Sequence, residues 1–324
     1  MKILEECKGA QKIGISGHVR PDGDCVGSCL ALYQYLKKCL PDEVSVTVYM
    51  EEPPRIFEEL KGFEYIVSDF SKEESFDVFF MLDCNLERLG DTAKYFEAAK
   101  KTINIDHHIS NTGCGDVNFV DPTIGSTSEI IYDLILAEGN ESVLDVELAK
   151  AIYVGIIHDT GVFQYSNTTP KTMQIGAKLI SYGFDFDRIV LETFYQRSYH
   201  QTQILGRALM ESIRFLDGQC IVSCVDKKMM DFYSVTTHDF DGIVNHLRNI
   251  KGVHCAIFMY ECGTLEYKIS MRSDEKVNVA QVATYFGGGG HVRAAGCTMQ
   301  GTFHDCVNNL SLHIEKQLKE NADV

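Results

Sequence analysis

The sequence predicts an α/β protein with a doubly wound, mostly parallel sheet, followed by a smaller α/β domain. Strand-like and helix-like segments alternate through the first half of the chain, as they do in parallel sheets. Residues 76–83 form a nearly continuous apolar run, which is typical of a strand covered on both faces. From Ser212 onward the pattern changes to short strand-like pieces mixed with helices. We therefore expect one domain over residues 1–185, a helical linker over residues 186–205 and a second domain over residues 206–324.

The first predicted strand, residues 12–16, leads into a turn-rich link and then a helix. The link contains His18, Asp22 and Asp24, and the helix over residues 23–38 has apolar residues at helical spacing. Ligands of open α/β sheets bind outside the carboxyl ends of the strands. The three polar side chains of the link are therefore candidates for ligand binding.

Three more strands are predicted in the first domain. Residues 44–50 alternate between polar and apolar side chains, residues 76–83 form the apolar run, and residues 102–106 are rich in strand-forming types. A helical segment over residues 91–100 connects the last two. This strand–helix–strand order is the one that parallel sheets require.

The last two of these strands end in potential metal ligands. The apolar run ends at Asp83, and the next strand ends in Asp106, His107 and His108. Polar side chains at the tip of a buried strand are costly to bury unless a strong partner such as a metal ion compensates them. For any one carboxylate or imidazole taken alone, a helix cap or a hydrogen-bonded core residue is a better explanation than a metal site.

Helices dominate the rest of the first domain. Residues 111–122 are predicted to be a loop, and helices follow over residues 126–138 and 145–158. The second of these helices runs into Asp159 and a segment rich in hydroxyl and amide side chains. A helical pattern then continues over residues 171–209.

The second domain is predicted to contain four strands and a closing amphipathic helix over residues 304–319. Further helices are expected near Lys227, Phe240 and Val277. The predicted strands cover residues 212–216, 220–225, 253–261 and 265–271.

A second group of candidate binding residues lies in this domain. Arg272 ends a predicted strand, and a run of four glycines precedes His291 and Arg293. Glycines allow backbone N–H groups to approach an anion closely, although a flexible loop would explain the run about as well. With two arginines and a histidine beside it, the run favours a site for a phosphate or a nucleotide.

Composition limits the class of substrate. The formal net charge is −16, so the chain offers no basic track of the kind that binds long nucleic acids. A phosphate-bearing substrate should therefore be short.

The twelve cysteines include no Cys-x-x-Cys pair, which favours buried thiols in a reducing compartment over a zinc or disulfide framework. Residues 1–11 do not resemble a signal peptide, and we expect a cytoplasmic protein with no membrane span.

The acidic residues together predict a two-metal site. Four carboxylates at one edge of a sheet would repel each other, whereas two divalent cations would neutralise them. A mixed set of carboxylates and imidazoles suits Mn²⁺ better than Ca²⁺. Two-metal sites typically hold a bridging water and catalyse phosphoryl transfer.

The motifs resemble those of the DHH/DHHA1 phosphoesterase family over nearly the whole chain. The matching segments are Gly17-His18 with Asp22-Gly23-Asp24, Leu82-Asp83, Asp106-His107-His108, Asp159-Thr160-Gly161, and the GGGGHVRAAG segment at residues 287–296. Within the family, the chain is most similar to the NrnA type, the cytoplasmic nano-RNases that also act as 3'-phosphoadenosine-5'-phosphate (pAp) phosphatases.

The resemblance implies a role for each candidate residue. One Mn²⁺ would be bound by His18 and Asp22, a second by Asp24, His107 and Asp159, and Asp83 would bridge both, with Mg²⁺ or Co²⁺ as possible substitutes. His108 would face the substrate phosphate, and Asp106 would orient a ligand. The substrate's terminal phosphate or nucleotide would be held in an interdomain cleft by residues of the second domain: Arg272, Gly288, Gly289, Gly290, His291 and Arg293.

The expected activity is hydrolysis of very short oligoribonucleotides to mononucleotides, together with removal of the 3'-phosphate from pAp. A phosphodiesterase for pApA or c-di-AMP is the main alternative, because related proteins share the same site. A RecJ-like exonuclease is disfavoured by the acidic composition, and a manganese pyrophosphatase by the glycine run. A nucleotide sensor without activity would lack a ligand, and here every ligand position is filled. The family's habit of forming dimers makes a homodimer plausible.

Overall fold

The computed structural model describes residues 2–321, apart from the side chain of His291. Two compact units are present, Met1–Gln196 and Arg197–Val324. The first contains a parallel sheet and the second a mostly antiparallel one. Each sheet packs against helices, so the predicted α/β fold class is confirmed.

The N-terminal unit is built on five parallel strands in the order β2-β1-β3-β4-β5. The strands are β1 (Lys12–Ser16), β2 (Ser45–Tyr49), β3 (Val78–Leu82), β4 (Thr102–Asp106) and β5 (Val117–Val120). All five residues of β3 are buried. Phe80 and Leu82 belong to the core on one face of the sheet, and Phe79 and Met81 to the core on the other. The continuous apolar run is therefore explained by a strand covered on both sides.

Seven helices accompany this sheet in the described part of the unit. They are α1 (Ile3–Glu6), α2 (Gly23–Cys39), α3 (Ala93–Glu97), α4 (Thr127–Ala137), α5 (Val146–Asp159), α6 (Pro170–Ile180) and α7 (Phe186–Val190). A π-helical turn, Leu191–Tyr195, follows α7. Side chains of Asp22, Ser126 and Asp145 cap α2, α4 and α5, as expected from residues that favour N-caps.

Glycines allow α2 and α5 to pack closely. A Cβ atom on Gly27 would lie 2.7 Å from the carbonyl oxygen of Ala151, and one on Gly155 would lie 1.8 Å from Oγ of Ser128 and 2.6 Å from Oδ1 of Asp24. Neither position has room for a side chain. The close approach lies next to Asp24, at the first turn of α2.

One strand of this unit was not predicted. Residues 111–122 were expected to form a loop, but Val117–Val120 pairs with β4 at the edge of the sheet. The strand has four residues and none of them is fully buried, so it lacks the apolar run or the strict alternation that marks a strand in sequence.

In its described residues, up to 321, the C-terminal unit has six strands in the order β10-β11-β9-β8-β7-β6, with only β7 and β8 parallel. The strands are β6 (Ile213–Phe215), β7 (Cys220–Val225), β8 (Cys255–Gly263), β9 (Glu266–Ser273), β10 (Gly289–His291) and β11 (Ala294–Gln300). The helices of the unit are α8 (Tyr199–Met210), α9 (Lys227–Tyr233), α10 (Ile243–Arg248), α11 (Val279–Tyr285) and α12 (Phe303–Glu320). The β10–β11 hairpin was not predicted, because half of its strand residues are glycine or alanine, which are poor strand formers.

Across residues 2–321, none of the helices combines the length and the apolar character needed to cross a bilayer.

Candidate active site

The strand order places a ligand-binding crevice next to β1. In parallel sheets of the order 2-1-3-4-5, the strand order reverses between β1 and β3, and ligands bind outside the carboxyl ends of these strands. His18, Asp22 and Asp24 follow β1, and Asp83 follows β3. The sheet therefore brings together residues that are about 60 positions apart in sequence.

Two groups of potential metal ligands meet at this edge. Nε2 of His18 lies 3.5 Å from Oδ2 of Asp22 and 3.5 Å from Oδ2 of Asp83. Nε2 of His107 lies 2.9 Å from Oδ2 of Asp159 and 3.6 Å from Oδ1 of Asp83. The two oxygens of the Asp83 carboxylate thus face different groups.

The second group is completed by Asp24. A carboxylate oxygen of Asp24 lies within 4.8 Å of a ring nitrogen of His107 and of a carboxylate oxygen of Asp159. Asp24 is fully buried, and its carboxylate accepts hydrogen bonds from the backbone N–H groups of Thr127 (2.7 Å) and Ser128 (2.9 Å) at the start of α4. The helix N-terminus stabilises the carboxylate and fixes its direction.

The hydrogen bonds of His18 and His107 orient both rings for metal binding. Nδ1 of His18 lies 2.9 Å from the carbonyl oxygen of Val19, and Nδ1 of His107 lies 3.3 Å from that of Ile124. Because a carbonyl only accepts, each Nδ1 carries a hydrogen, so Nε2 is the nitrogen that faces the carboxylates and that a neutral ring would offer to a metal. A backbone carbonyl commonly orients a metal-binding histidine in this way.

The buried Nε2 atom of His107 has no hydrogen-bond partner, although an oxygen of Asp159 lies 2.9 Å away. A nitrogen lone pair and a carboxylate oxygen repel each other at this distance unless a cation or a proton lies between them. Adjacent ligands of an octahedral ion with bonds of about 2.1 Å are about 3 Å apart. The donor set and its spacing therefore fit a divalent metal ion.

Burial and mutual repulsion act strongly on the carboxylates. Burial, followed by the charges of Asp24 and Asp22, raises the pKa of Asp83 well above its usual value. Burial and the charge of Asp159 raise the pKa of Asp24 to about 6. Burial alone would lower the pKa of His107, but the neighbouring Asp159 raises it to about 10. These shifts show a local excess of negative charge, which divalent cations would neutralise.

The backbone at Asp83 is strained. Its φ angle is +61°, in the left-handed region that residues other than glycine rarely adopt. Aspartate tolerates this conformation better than most residues. Oγ1 of Thr127 donates a hydrogen bond of 3.1 Å to Oδ1 of Asp83, which holds the carboxylate in place.

Asp106 holds His108 and the loop around it. Oδ1 of Asp106 lies 2.7 Å from Nδ1 of His108 and accepts from the backbone N–H groups of His107 and His108. Oδ2 accepts from Nδ2 of Asn111 at 2.6 Å. Both oxygens are therefore engaged, and the Nδ1–H of His108 points to Asp106, which leaves Nε2 of His108 for a ligand.

The glycine run of the C-terminal unit forms a turn and part of a hairpin. The N–H groups of Gly287 and Gly288 donate to the carbonyls of Thr284 and Ala283, so both already have partners within the unit. The predicted contact of Gly288 with substrate stays a prediction. A Cβ atom on Gly290 would lie 2.5 Å from the carbonyl oxygen of Ala294, whereas Gly289 has open space on that side. The run is therefore required partly by close packing of β10 on β11.

The predicted arginines lie next to this hairpin. Arg272 in β9 is directly opposite Ala294 of β11, and its Nη1 donates to the carbonyl of Met271. The exposed Arg293 lies in the turn between β10 and β11. The predicted side-chain role of His291 lies outside the described part of the chain.

Comparison with known proteins identifies the family. Residues 12–156 match the model of the DHH family N-terminal domain, and residues 217–320 match that of the DHHA1 domain. The bifunctional oligoribonuclease and PAP phosphatase NrnA of Thermus thermophilus is 31% identical over 315 residues, which cover 93% of this chain and 87% of the relative. The chain belongs to the DHH/DHHA1 phosphoesterase family. It is a metal-dependent phosphoesterase, as the sequence predicted.

Two further similarities span most of this phosphoesterase. The Bacillus subtilis protein named bifunctional oligoribonuclease and PAP phosphatase NrnA is 28% identical over 87% of this chain and 87% of its own length. The crystal structure of an exopolyphosphatase-related protein from Bacteroides fragilis superposes with a TM-score of 0.90 at 29% identity, over 98% of this chain and 95% of the other.

The candidate site also contains residues that the sequence did not reveal. Thr127 and Ser128 hold Asp83 and Asp24, and Asn104 and Asn111 surround Asp106 and the turn after Asp83. Asn111 lies three residues after His108, and this position in the sequence could have identified it as a candidate. The contribution of Ser128 comes from its backbone N–H group, which has no signature in sequence. His158 packs between Phe57 and Phe194, in agreement with a structural role.

Proposed function

We propose that the protein is a Mn²⁺-dependent hydrolase that releases mononucleotides from very short oligoribonucleotides and removes the 3'-phosphate from pAp. The observation that carries this proposal is the Asp83 carboxylate, whose two oxygens face two separate groups of ligands. The substrate class is supported by relatives named oligoribonuclease and PAP phosphatase that span most of the chain.

The residues present fit two metal ions. His18 and Asp22 would hold one ion, the group of Asp24, His107 and Asp159 would hold the other, and Asp83 would bridge them. The mixture of oxygen and imidazole ligands favours Mn²⁺, with Mg²⁺ or Co²⁺ as substitutes. When bound, the two ions supply positive charge at the phosphoryl oxygens and lower the pKa of a water that can attack phosphorus.

The protein's own side chains orient the reaction. Asp106 fixes the ring of His108 through Nδ1, so that Nε2 of His108 is presented to a substrate phosphate. His108 is 26% exposed, whereas Asp106 is fully buried, so only the histidine can reach a ligand. With hydrogens on both ring nitrogens, Nε2 of His108 would donate to a phosphoryl oxygen and stabilise charge there without reorganising during the reaction.

The charge distribution supports binding of the nucleotide by the C-terminal unit. This unit contains 13 of the 30 Lys and Arg residues but only 14 of the 46 Asp and Glu residues, so most of the net charge of −16 lies in the N-terminal unit. Arg272, His291 and Arg293 with residues Gly289 and Gly290 would hold the terminal phosphate or nucleotide. A few cations suit a short substrate, whereas a long nucleic acid requires an extended basic surface.

The test is hydrolysis by the purified protein with added Mn²⁺. Substrates are 5'-phosphorylated RNAs of two to about twenty nucleotides, pAp, pApA and c-di-AMP, and Asp83→Ala is the blank. We expect mononucleotides from the shortest RNAs, phosphate from pAp, and falling rates as the RNA lengthens. A sole preference for pApA or c-di-AMP would overturn the substrate assignment, and turnover by Asp83→Ala would overturn the metal site.

A further inference from the structure

The side chain of Asn111 connects two parts of the active site. It lies in the loop after β4 and is 7% exposed. Its Nδ2 atom lies 2.9 Å from the carbonyl oxygen of Cys84, 2.9 Å from Oδ1 of Asn104 and 2.6 Å from Oδ2 of Asp106. An amide nitrogen has two hydrogens, so these three acceptors share them. Its Oδ1 accepts from the N–H of Gly113 at 2.8 Å, so the whole amide group is engaged.

One end of this connection is the strained turn at Asp83. The N–H of Asp83 donates to the carbonyl of Ile105, which fixes the residue before the turn. After the turn, the carbonyl of Cys84 accepts from Nδ2 of both Asn104 (3.0 Å) and Asn111 (2.9 Å). Left-handed backbone persists only where surrounding groups hold it. The two amides are such groups, and they come from two other segments of the chain.

The other end is the carboxylate that orients His108. Asn111 occupies Oδ2 of Asp106, while Oδ1 of the same carboxylate holds Nδ1 of His108. One amide therefore contacts both the turn that presents Asp83 and the carboxylate that presents His108. The amide of Asn111 is fully engaged by Cys84, Asn104, Asp106 and Gly113, so it acts through its neighbours.

We propose that Asn111 is a positioning residue, whose amide sets the placement of Asp83 relative to the Asp106–His108 pair. The inference rests on the metal site proposed above. It assigns to Asn111 a role that differs from filling the core, because its contacts are polar and include Asp106 and the carbonyl of Cys84, the residue after Asp83. Loss of such hydrogen-bonded support typically lowers metal affinity or activity by about 10- to 100-fold.

The test compares Asn111→Ala with Asn118→Ala. Asn118 is a matched control, because its amide bonds only the backbone of Gly115 (2.6 and 2.9 Å) and is exposed. Three quantities are measured: Mn²⁺ affinity by calorimetric titration, the ring signals of His108 by NMR in the metal-free protein, and kcat and KM for pAp. We expect Asn111→Ala to lower Mn²⁺ affinity and kcat by about 10- to 100-fold, with a shifted His108 signal and little change in KM. Asn118→Ala should match wild type.

Two results overturn the inference while leaving the proposed function intact. One is a wild-type Mn²⁺ affinity and kcat in Asn111→Ala, with only a lower melting temperature. The other is an unshifted His108 signal together with normal metal binding. If Asn111→Ala does not fold, Asn111→Ser replaces it, since a hydroxyl keeps a neutral polar group at the site but has a single hydrogen and cannot serve both Cys84 and Asp106. Failure of the wild-type protein to bind Mn²⁺ would instead overturn the proposed function.

Discussion

Replacing Asp83 with asparagine is expected to change stability in opposite directions without and with Mn²⁺. Asp83 is 2% exposed, and asparagine has nearly its shape. The hydrogen bond from Thr127 to Oδ1 can be kept, because the amide oxygen also accepts. The variant therefore removes the charge and leaves the packing almost unchanged.

Without metal, the charge of Asp83 destabilises the folded protein. Ligand oxygens of Asp22 and Asp83 lie within 4.8 Å of each other, and two such charges repel by about 3 kcal/mol at an effective dielectric constant of 20. A free-energy change of about 1 kcal/mol shifts the melting temperature by roughly 2–4 °C for a unit of this size. We therefore expect Asp83→Asn to melt several degrees above wild type in EDTA at neutral pH.

The pH dependence has a definite sign. Burial and neighbouring carboxylates raise the pKa of Asp83 in the folded protein well above the unfolded value. The folded wild type therefore binds more protons than the unfolded chain between the two pKa values, and its stability falls as the pH rises through that window. Below the pKa of Asp83 in the unfolded chain, this carboxyl is protonated in both states. The higher melting temperature of Asp83→Asn should therefore disappear in acid.

With Mn²⁺ the order should reverse. A ligand at about 100 times its Kd stabilises the folded state by about 2.7 kcal/mol, and the variant lacks the carboxylate shared by both ligand groups. Calorimetric melting in EDTA and in saturating Mn²⁺ measures both effects. Asp116→Asn is the control, because Asp116 is an exposed carboxylate that bonds only Thr102. The reasoning would be refuted if Asp83→Asn melted below wild type in EDTA and if Mn²⁺ raised its melting temperature as much as that of wild type.

Three further predictions concern other parts of the protein. His108→Ala should lower kcat by at least about 100-fold yet keep the full rise in melting temperature on adding Mn²⁺, and loss of that rise would make His108 a metal ligand. Arg293→Ala should raise KM for pAp and for the shortest RNAs with the Mn²⁺ effect on melting unchanged, and an unaltered KM would remove Arg293 from the substrate site. Gly155→Ala should lose roughly 1–3 kcal/mol of unfolding free energy, because its Cβ would lie 1.8 Å from Oγ of Ser128, whereas Gly206→Ala, in α8 with nothing within 4 Å, should gain about 0.5–1 kcal/mol. Equal denaturant midpoints for the two glycine variants would contradict the packing argument.

The sequence predicted the sheet of the N-terminal unit because its central strands are unusual. A fully buried parallel strand such as β3 has an apolar run, and the helices α2, α4 and α5 begin at good N-caps. The short edge strand β5 and the hairpin of β10 and β11 have neither signal. Their residues form strands because a neighbouring strand already offers hydrogen-bond partners.

The candidate ligands were predictable for a similar reason. His18, Asp83 and His107 stand where strands end, and several potential ligands at one edge of a sheet have few structural explanations, although each alone has one. The groups that hold the ligands were less visible. Asp24 is fixed by backbone N–H groups more than 100 positions away, and Asn111 contacts Cys84 27 positions away. Contacts of this kind depend on the folded arrangement of segments and leave no local pattern in the sequence.

The number of Mn²⁺ ions bound per chain tests the central claim most directly. Equilibrium dialysis of the metal-free protein against Mn²⁺, followed by elemental analysis, gives this number, and electron paramagnetic resonance reports whether the ions are close. The structure predicts two ions per wild-type chain with magnetic coupling between them, and loss of that coupling in Asp83→Asn. A single ion in the wild type, or two uncoupled ions, would contradict a site bridged by Asp83.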